Sequence, residues 1–385
     1  MIIIGAGIVG LAIAKEAKKF FPNRELHVID APISDRQAPS MLNSGVIHSG
    51  IYYQSGSLRA LLSTQGNPLL KQLASELGVE VKNSGKLIVA PSDRKPEIVA
   101  LADRARANKV TFEMCGDREL NYLQPGISPK STGLYVKSTA YLDSRKLYEE
   151  LKGLLRTEGV VFHNAIAESL ERSHLSEIIG ISIDKDTPII NSGGHGALRL
   201  AQKSGVARHF RLVPIRGRYL EVRDSGFELR LPVYGIPHSG NVALGNHLTP
   251  MHSGDGFLVG PSAFLKLSDL LRRGSIGASQ IALQWSRSNQ LFRVTPLQFS
   301  SQSRKTMLND AGKLIERVRM IDRELCTWSA ESSRPQLINS VTGEIHEDFV
   351  FAKNGKQLHI LNIVSPGWTS AVSLARHTLG LLAED

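Results

Sequence analysis

Cysteine is nearly absent from this chain. Cys115 and Cys326 stand far apart without C-x-x-C spacing, which excludes a disulfide framework and a zinc-ribbon site and points to a reducing compartment. Long apolar runs are missing too. The longest, Met1 to Ala14, is too short to span a bilayer and has no basic segment before it, so neither a membrane anchor nor a signal peptide is expected. No internal repeat, low-complexity tract or long linker interrupts the chain. His247 and His252 lack companions at zinc-like spacing, so no metal site is expected. A cytoplasmic location is the resulting expectation, with peripheral attachment at the inner membrane left open.

Acidic residues are in deficit. Against 46 Lys and Arg there are 36 Asp and Glu, a formal charge of +10, which favours anionic partners: a cofactor diphosphate, a dicarboxylate, an acidic lipid surface or nucleic acid. The basic residues are scattered, however. Arg104, Arg106 and Lys109 fall in one predicted helix and Arg272, Arg273, Arg287 and Arg293 in another region, with no interleaved aromatic motif, so solvated helix faces are expected and nucleic acid is not.

What is present begins at the first residue. Ile2 to Ile4 form an apolar strand, Gly5-Ala-Gly7-Ile-Val-Gly10 follows, then a small-residue helix, and Leu26 to Ile29 form a second strand closed by Asp30. That order of strand, G-x-G-x-x-G, helix, strand and acid is the dinucleotide fingerprint. Gly5 permits the tight turn, Gly7 lets backbone approach a pyrophosphate, and Gly10 lets helix and strand pack closely; Asp30 is placed to hold a ribose hydroxyl.

Further on, leucines at helical spacing run from Leu58 to Leu77 and end at Gly78, Gly85 to Ala90 reads as a strand, Pro96 to Asn108 as an exposed helix, and Gly133 to Val136 as a strand. A helix through Leu147, Leu151, Leu154 and Leu155 leads into the strand Gly159 to Phe162, and Ile178 to Ile183 alternates like a hairpin strand. Thr187 to Asn191 is a buried strand ending in the turn Gly193-Gly-His195-Gly196, a second place for backbone to approach a cofactor. From about Arg211 to Trp328 short strands punctuated by Pro and Gly take over, and the chain returns to an apolar strand at Leu358 to Val364, the Ser365-Pro-Gly367-Trp-Thr-Ser370 loop and a final helix. Strand-rich segments inserted into an α/β frame predict a second, antiparallel-sheet domain. At 385 residues there is room for both.

The segment Asn43-Ser-Gly-Val-Ile-His48-Ser-Gly-Ile-Tyr52-Tyr53-Gln-Ser-Gly-Ser-Leu-Arg59 closely resembles the same stretch of FAD-dependent L-2-hydroxyglutarate dehydrogenases and oxidases, within the D-amino-acid-oxidase-like superfamily. Matches to Gly85 to Ala90, Val213 to Tyr219, Tyr234 to Pro237, Leu244 to Thr249, Val259 to Pro261, Gly343 to Phe351 and Ser365 to Ser370 follow in order, covering nearly the whole chain. The resemblance implies an α/β fold: a GR2-type, Rossmann-like FAD-binding domain assembled from residues 1–80, 141–208 and 335–385, with a mainly antiparallel-sheet substrate domain from 81–140 and 209–334. It implies bound FAD, with Gly5, Gly7, Gly10 and Asp30 at the ADP half and the Gly193 turn as a further cofactor contact. Asn43, Ser44, Gly45 and His48 would lie along the ribityl chain and ring, and Gly367, Trp368, Thr369 and Ser370 over the pyrimidine end.

The implied reaction is oxidation of a 2-hydroxy acid, foremost (S)-2-hydroxyglutarate to 2-oxoglutarate, with hydride passing to flavin N5 and electrons onward to oxygen or a respiratory quinone. Such chemistry needs a base for the hydroxyl proton and cations for the carboxylates; histidine suits the first and the planar guanidinium the second. His247, in a His-x-Thr string, matches the family's substrate-side histidine and is the expected base, with His48 second. Arg334 resembles the arginine beside the substrate carboxylate. Tyr52, Arg59, Arg216, Tyr234 and Thr249 complete the expected substrate contacts, Tyr52, Arg59 and Arg216 at the distal carboxylate or the flavin, with a partnerless surface position as the alternative for each arginine and Tyr52, and above all for Arg59.

The departures cluster on the substrate side. Ser329-Ala-Glu-Ser-Ser333 replaces a glycine-rich approach to Arg334, Pro250 stands where the family usually has arginine, and residues 262–330 match poorly. Oxidation of an amino acid or secondary amine, and a flavin-bearing binding protein with a decayed substrate site, therefore stay open at this point.

Overall fold

In the computed structural model, which describes residues 1–32, 39–236, 247–266 and 303–383, the opening strand Ile2–Ile4 lies inside a six-stranded sheet. His27–Asp30 and Ile189–Asn191 flank it in parallel; Val161–Asn164 extends one side, and Gln357–Leu361 with antiparallel Val350–Asn354 the other. Ile2 to Ile4 are all apolar because helices cover both faces of the sheet. Ile3 packs with Leu11, Leu70, Leu151 and Leu374 from the helices Ile8–Phe20, Leu58–Glu76, Ser144–Thr157 and Ala371–Ala383, while Ile2 and Ile4 pack with Leu170, Leu175 and Leu200 on the far side. Strands from the beginning, middle and end of the chain thus form one doubly wound sheet.

The second layer is an eight-stranded sheet in the order Cys326–Trp328, Leu220–Arg223, Gly256–Gly260, His247–Pro250, Val233–Gly235, Lys86–Pro91, Ser131–Val136 and Glu113–Cys115. Only Val233–Gly235 and Lys86–Pro91 pair in parallel. It is the mainly antiparallel sheet expected from the punctuated strands. A ribbon of Phe210–Gly217 against Ser332–Asn339 stands beside it.

Two expectations need correction. Ile178 to Ile183 is not a hairpin strand: the chain is helical over Arg172–Ile179 and stops at Gly180, whose φ of 78° supplies the left-handed C-cap. The alternating isoleucines mislead because a short helix that buries Leu175 against the sheet places Ile178 and Ile179 at its edge. The boundary drawn between residues 334 and 335 falls inside the strand Ser332–Asn339. Leu244, Gly245, Pro237 and the cluster Arg272, Arg273, Arg287 and Arg293 lie outside the described residues.

Candidate active site

The glycines of the first turn have distinct duties. Gly5 has φ of 95°, and a Cβ there would lie 2.6 Å from the Ser192 carbonyl oxygen; a Cβ on Gly10 would lie 1.9 Å from the Gly5 carbonyl oxygen. Both are therefore demanded by the packing of strand, helix and the neighbouring Gly193 turn. Gly7 differs, since a side chain there would touch only Ser40 Oγ, at 3.3 Å, and its backbone is extended. The space beside Gly7, at the N-terminus of the first helix, suits a pyrophosphate. Asp30 ends the adjacent strand at the same edge.

The second glycine turn is anchored from below. Asn191 Oδ1 accepts the Gly193 N–H at 3.2 Å, and its Nδ2 donates to the Ala197 carbonyl at 2.8 Å and lies 2.9 Å from His359 Nδ1. Burial pulls His359 down to about 4, so its ring stays neutral and can accept that bond. His195 reaches from the turn to Ser333 Oγ at 2.9 Å, beside Arg334.

Two loops then close on each other. Asn43 is occupied with its own loop: Nδ2 donates to the Pro39 and Ser40 carbonyls and Oδ1 accepts the Gly45 N–H at 2.9 Å. Gly45, with φ of 68°, sits where a Cβ would lie 2.0 Å from the Leu142 carbonyl oxygen. The His48 N–H donates to Thr369 Oγ1 at 3.0 Å, its carbonyl accepts from Asn67 Nδ2 at 3.0 Å, and Trp368 Nε1 donates to the Ser40 carbonyl at 3.2 Å. Gly66 lets the helix Leu58–Glu76 approach this loop, since a Cβ there would lie 2.6 Å from the Thr369 carbonyl oxygen. Ser370 Oγ and Ser49 Oγ are buried without a protein partner, as donors to a cofactor would be.

Beyond the loops lies a deep cluster. Tyr52 and Tyr234 stack at 6.5 Å between ring centroids, and His247 stacks on Tyr234 at 3.9 Å. Thr249 is fully buried, with its side chain close to the Tyr234 phenol. Burial pushes the Tyr52, Tyr53, Tyr219 and Tyr234 phenols up and Arg334 down. Tyr52, Tyr53, Tyr219, His48 and Arg334 nevertheless keep some accessible surface, as side chains do that face an internal hollow. Burial, with help from the nearby Lys86 and His247, pulls His48 down to about 3. A group that weakly basic is a poor proton acceptor near neutrality.

Arg59 is no surface residue. It is 8% exposed, its Nε lacks a partner, and its guanidinium lies 6.0 Å from the Tyr53 ring centroid and 5.9 Å from that of Phe349. Arg334 is close enough to depress it further, while Tyr53, Asp348 and Glu347 offset the burial. Arg216 is held elsewhere. In the ribbon Arg334 pairs with Ile215 whereas Arg216 pairs with Ser333, so the two arginines take opposite faces, and Arg216 binds Glu331 Oε1 at 2.7 Å.

Lys86 and Tyr219 were not expected here. Lys86 is 0% exposed, with Nζ 4.6 Å from the ring centroids of both Tyr52 and Tyr234. The signal for it was a lysine inside an otherwise apolar strand, Gly85-Lys-Leu-Ile-Val-Ala90. Tyr219 closes the matching stretch Val213 to Tyr219 but was not singled out there; in the structure it lies near Arg334.

A doubly wound sheet with a nucleotide cradle at its first turn, closed by a C-terminal loop and faced by a second sheet carrying aromatic and basic side chains, defines a flavin-dependent oxidoreductase. Consistent with that, the family described as FAD dependent oxidoreductase matches residues 1–381, and the chain belongs to that family. Its relatives include an L-2-hydroxyglutarate dehydrogenase of Escherichia coli K12, 28% identical over 98% of this chain and 91% of that one. A mitochondrial L-2-hydroxyglutarate dehydrogenase of Nematostella vectensis is 30% identical over 99% and 90% respectively. Among solved structures, an FAD-bound L-alpha-glycerophosphate oxidase from Mycoplasma pneumoniae superposes with a TM-score of 0.73 at 21% identity, covering 99% of this chain and 94% of that one. The glycine oxidase of Geobacillus kaustophilus gives 0.72 at 16% identity, with 100% and 94% covered.

Proposed function

We propose that this protein oxidises (S)-2-hydroxyglutarate to 2-oxoglutarate. The observation that carries the reading is the juxtaposition, in one buried cluster, of His247 with the stacked pair Tyr52 and Tyr234, together with two deep arginines, Arg59 and Arg334. Gly5, Gly7, Gly10, Asp30 and the Gly193 turn would hold the ADP half of FAD, and Ser44, His48 and the Gly367 to Ser370 loop the flavin half. When bound, FAD supplies the hydride acceptor. His247 then takes the hydroxyl proton, and Arg334 fixes the carboxylate next to the reacting carbon. Arg59 takes the distal carboxylate, while Tyr52, Tyr234 and Thr249 line the path between. Arg216, tied to Glu331 on the other face of its ribbon, is left out.

The balance of charge favours a substrate without an ammonium group. Arg59, Arg334 and Lys86 bring buried basic groups, and the nearby carboxylates Asp348 and Glu347 lie on the Arg59 side alone. A protonated amino acid would meet that field unfavourably, as a dicarboxylate would not. Oxygen and a respiratory quinone are the acceptors proposed for the electrons. No helix among the described residues is long and apolar enough to cross a membrane, so contact with a membrane-borne acceptor would be peripheral.

Anaerobic mixing of the flavin-loaded protein with 2-hydroxy acids and amino acids, while following flavin absorbance, tests the reading. Fast bleaching by (S)-2-hydroxyglutarate is expected; bleaching by an amino acid alone would replace it with the amine-oxidising reading.

A further inference from the structure

Lys86 is a basic residue of the deep cluster for which the proposed reaction provides no step, and its setting is costly. The side chain is fully buried, Nζ has no hydrogen-bond partner, and among the described residues no carboxylate pairs with it. Among the described residues two aromatic faces are its only close attraction, each centroid 4.6 Å away, and cation–π contacts offset only part of the loss of water. A charge in such a place is costly without a counter-ion, and an anion brought near it would stabilise the ammonium form.

We propose that Lys86 is the counter-charge of the substrate site: the entry of an anionic ligand beside Tyr52 and Tyr234 completes an ion pair across the rings, and Lys86 takes up a proton as that ligand binds. The inference rests on the 2-hydroxy-acid reading only for the identity of the anion.

The surroundings support the coupling. The titratable groups facing Lys86 are Tyr52 from the loop after His48, Tyr234 from the strand Val233–Gly235, His48 itself, and His247, which stacks on Tyr234; the strand Ser131–Val136 contributes Val136 opposite. The tyrosines are held in the neutral form by burial, and His48 is too weakly basic to be charged near neutrality. Burial brings Lys86 down to about 7, so above neutral pH it stands largely deprotonated in the empty site. A carboxylate within a few ångströms of the rings pulls it back toward its ordinary value, and the proton comes from the buffer. Because Nζ has no accessible surface, Lys86 acts through the field and is a positioning residue, not a catalytic one.

Linkage then fixes the sign. Below pH 7 the amine is already charged and no proton is taken up; above it, anion affinity falls as pH rises, by up to about tenfold per pH unit, until the bound form also titrates. The test is calorimetric titration of the FAD-loaded protein with 2-oxoglutarate, and separately with oxalate, in buffers of different ionisation enthalpy. At pH 8 about 0.5–0.9 proton should be taken up per anion bound, declining toward zero at pH 6. Lys86→Met should retain flavin, lose the uptake and bind about tenfold more weakly at pH 7; Lys86→Arg, permanently charged, should bind with no uptake at any pH. Undiminished uptake in Lys86→Met, or wild-type binding with no uptake at pH 8, overturns the proposal. So does a wild-type dissociation constant unchanged from pH 6 to 9, a measurement that needs no variant, and so does failure of both anions to bind. Oxalate binding with uptake while 2-oxoglutarate does not bind would keep the role of Lys86 and remove the proposed substrate.

Discussion

The backbone N–H of His48 donates to Thr369 Oγ1 at 3.0 Å across 321 residues of sequence, and this bond joins the two loops on which the proposed flavin site depends. Thr369→Val keeps the shape of the side chain and removes the acceptor, leaving a buried N–H unpaired. The expected cost is about 1–3 kcal/mol of stability together with weaker flavin retention. Thermal melts and the ratio of flavin to protein absorbance measure both, and a variant equal to wild type in each would show that the loops are held apart from this bond.

Glycines of one motif should fail differently. Gly7→Val meets only Ser40 Oγ and should fold, losing about 1 kcal/mol or less, yet bind no FAD because its side chain fills the pyrophosphate space. Gly10→Ala drives a Cβ into the Gly5 carbonyl and should destabilise the protein itself by about 3 kcal/mol or more. Full flavin content in Gly7→Val would reduce the motif to a structural turn.

His247 and Arg334 should separate rate from binding. His247→Ala is expected to retain FAD and slow flavin reduction by (S)-2-hydroxyglutarate about a hundredfold or more, with a smaller change in dissociation constant. Arg334→Ala should mainly weaken binding, by roughly ten- to a hundredfold, because a carboxylate clamp acts before and during the reaction. Rapid-mixing kinetics read the two patterns. Near-wild-type reduction in His247→Ala would pass the base to His48, in spite of its low basicity.

Arg216 serves as the internal control. Its ion pair with Glu331 is half-buried and faces away from Arg334, so Arg216→Ala should cost about 1 kcal/mol or less and leave substrate affinity unchanged. A fall in affinity comparable to that of Arg334→Ala would return Arg216 to the site.

Removing the buried lysine should stabilise the empty protein. With Lys86 near 7 in the folded chain against an ordinary value of 10.5, the unfolded state binds the extra proton between those limits, so wild-type stability relative to Lys86→Met rises as pH climbs from about 7 to 10.5. At or below pH 7 the variant should be the more stable by about 1–4 kcal/mol. Urea denaturation across that range checks it; a pH-independent difference between the two proteins would show that Lys86 carries its charge at no cost.

How much of this was readable in advance depends on the range of the interaction responsible. The strand at Ile2 to Ile4, the roles of Gly5 and Gly10, Asp30 at the end of the next strand and the antiparallel character of the second sheet follow from neighbours within a few dozen residues, where periodicity and turn chemistry act directly. The sequence by itself therefore determined a nucleotide cradle and the order of the layers. It did not decide which charged residues go inside. Arg59 and Arg216 are both single arginines in matching motifs, yet one is sealed under Tyr53 and Phe349 and the other is held by Glu331 on the face of its ribbon opposite to Arg334, a choice set by strand register and helix packing. Lys86 became a buried charge only because Tyr52 and Tyr234, distant in sequence, fold over it from two sides. Burial depends on what the rest of the chain brings alongside, and no local pattern carries that information.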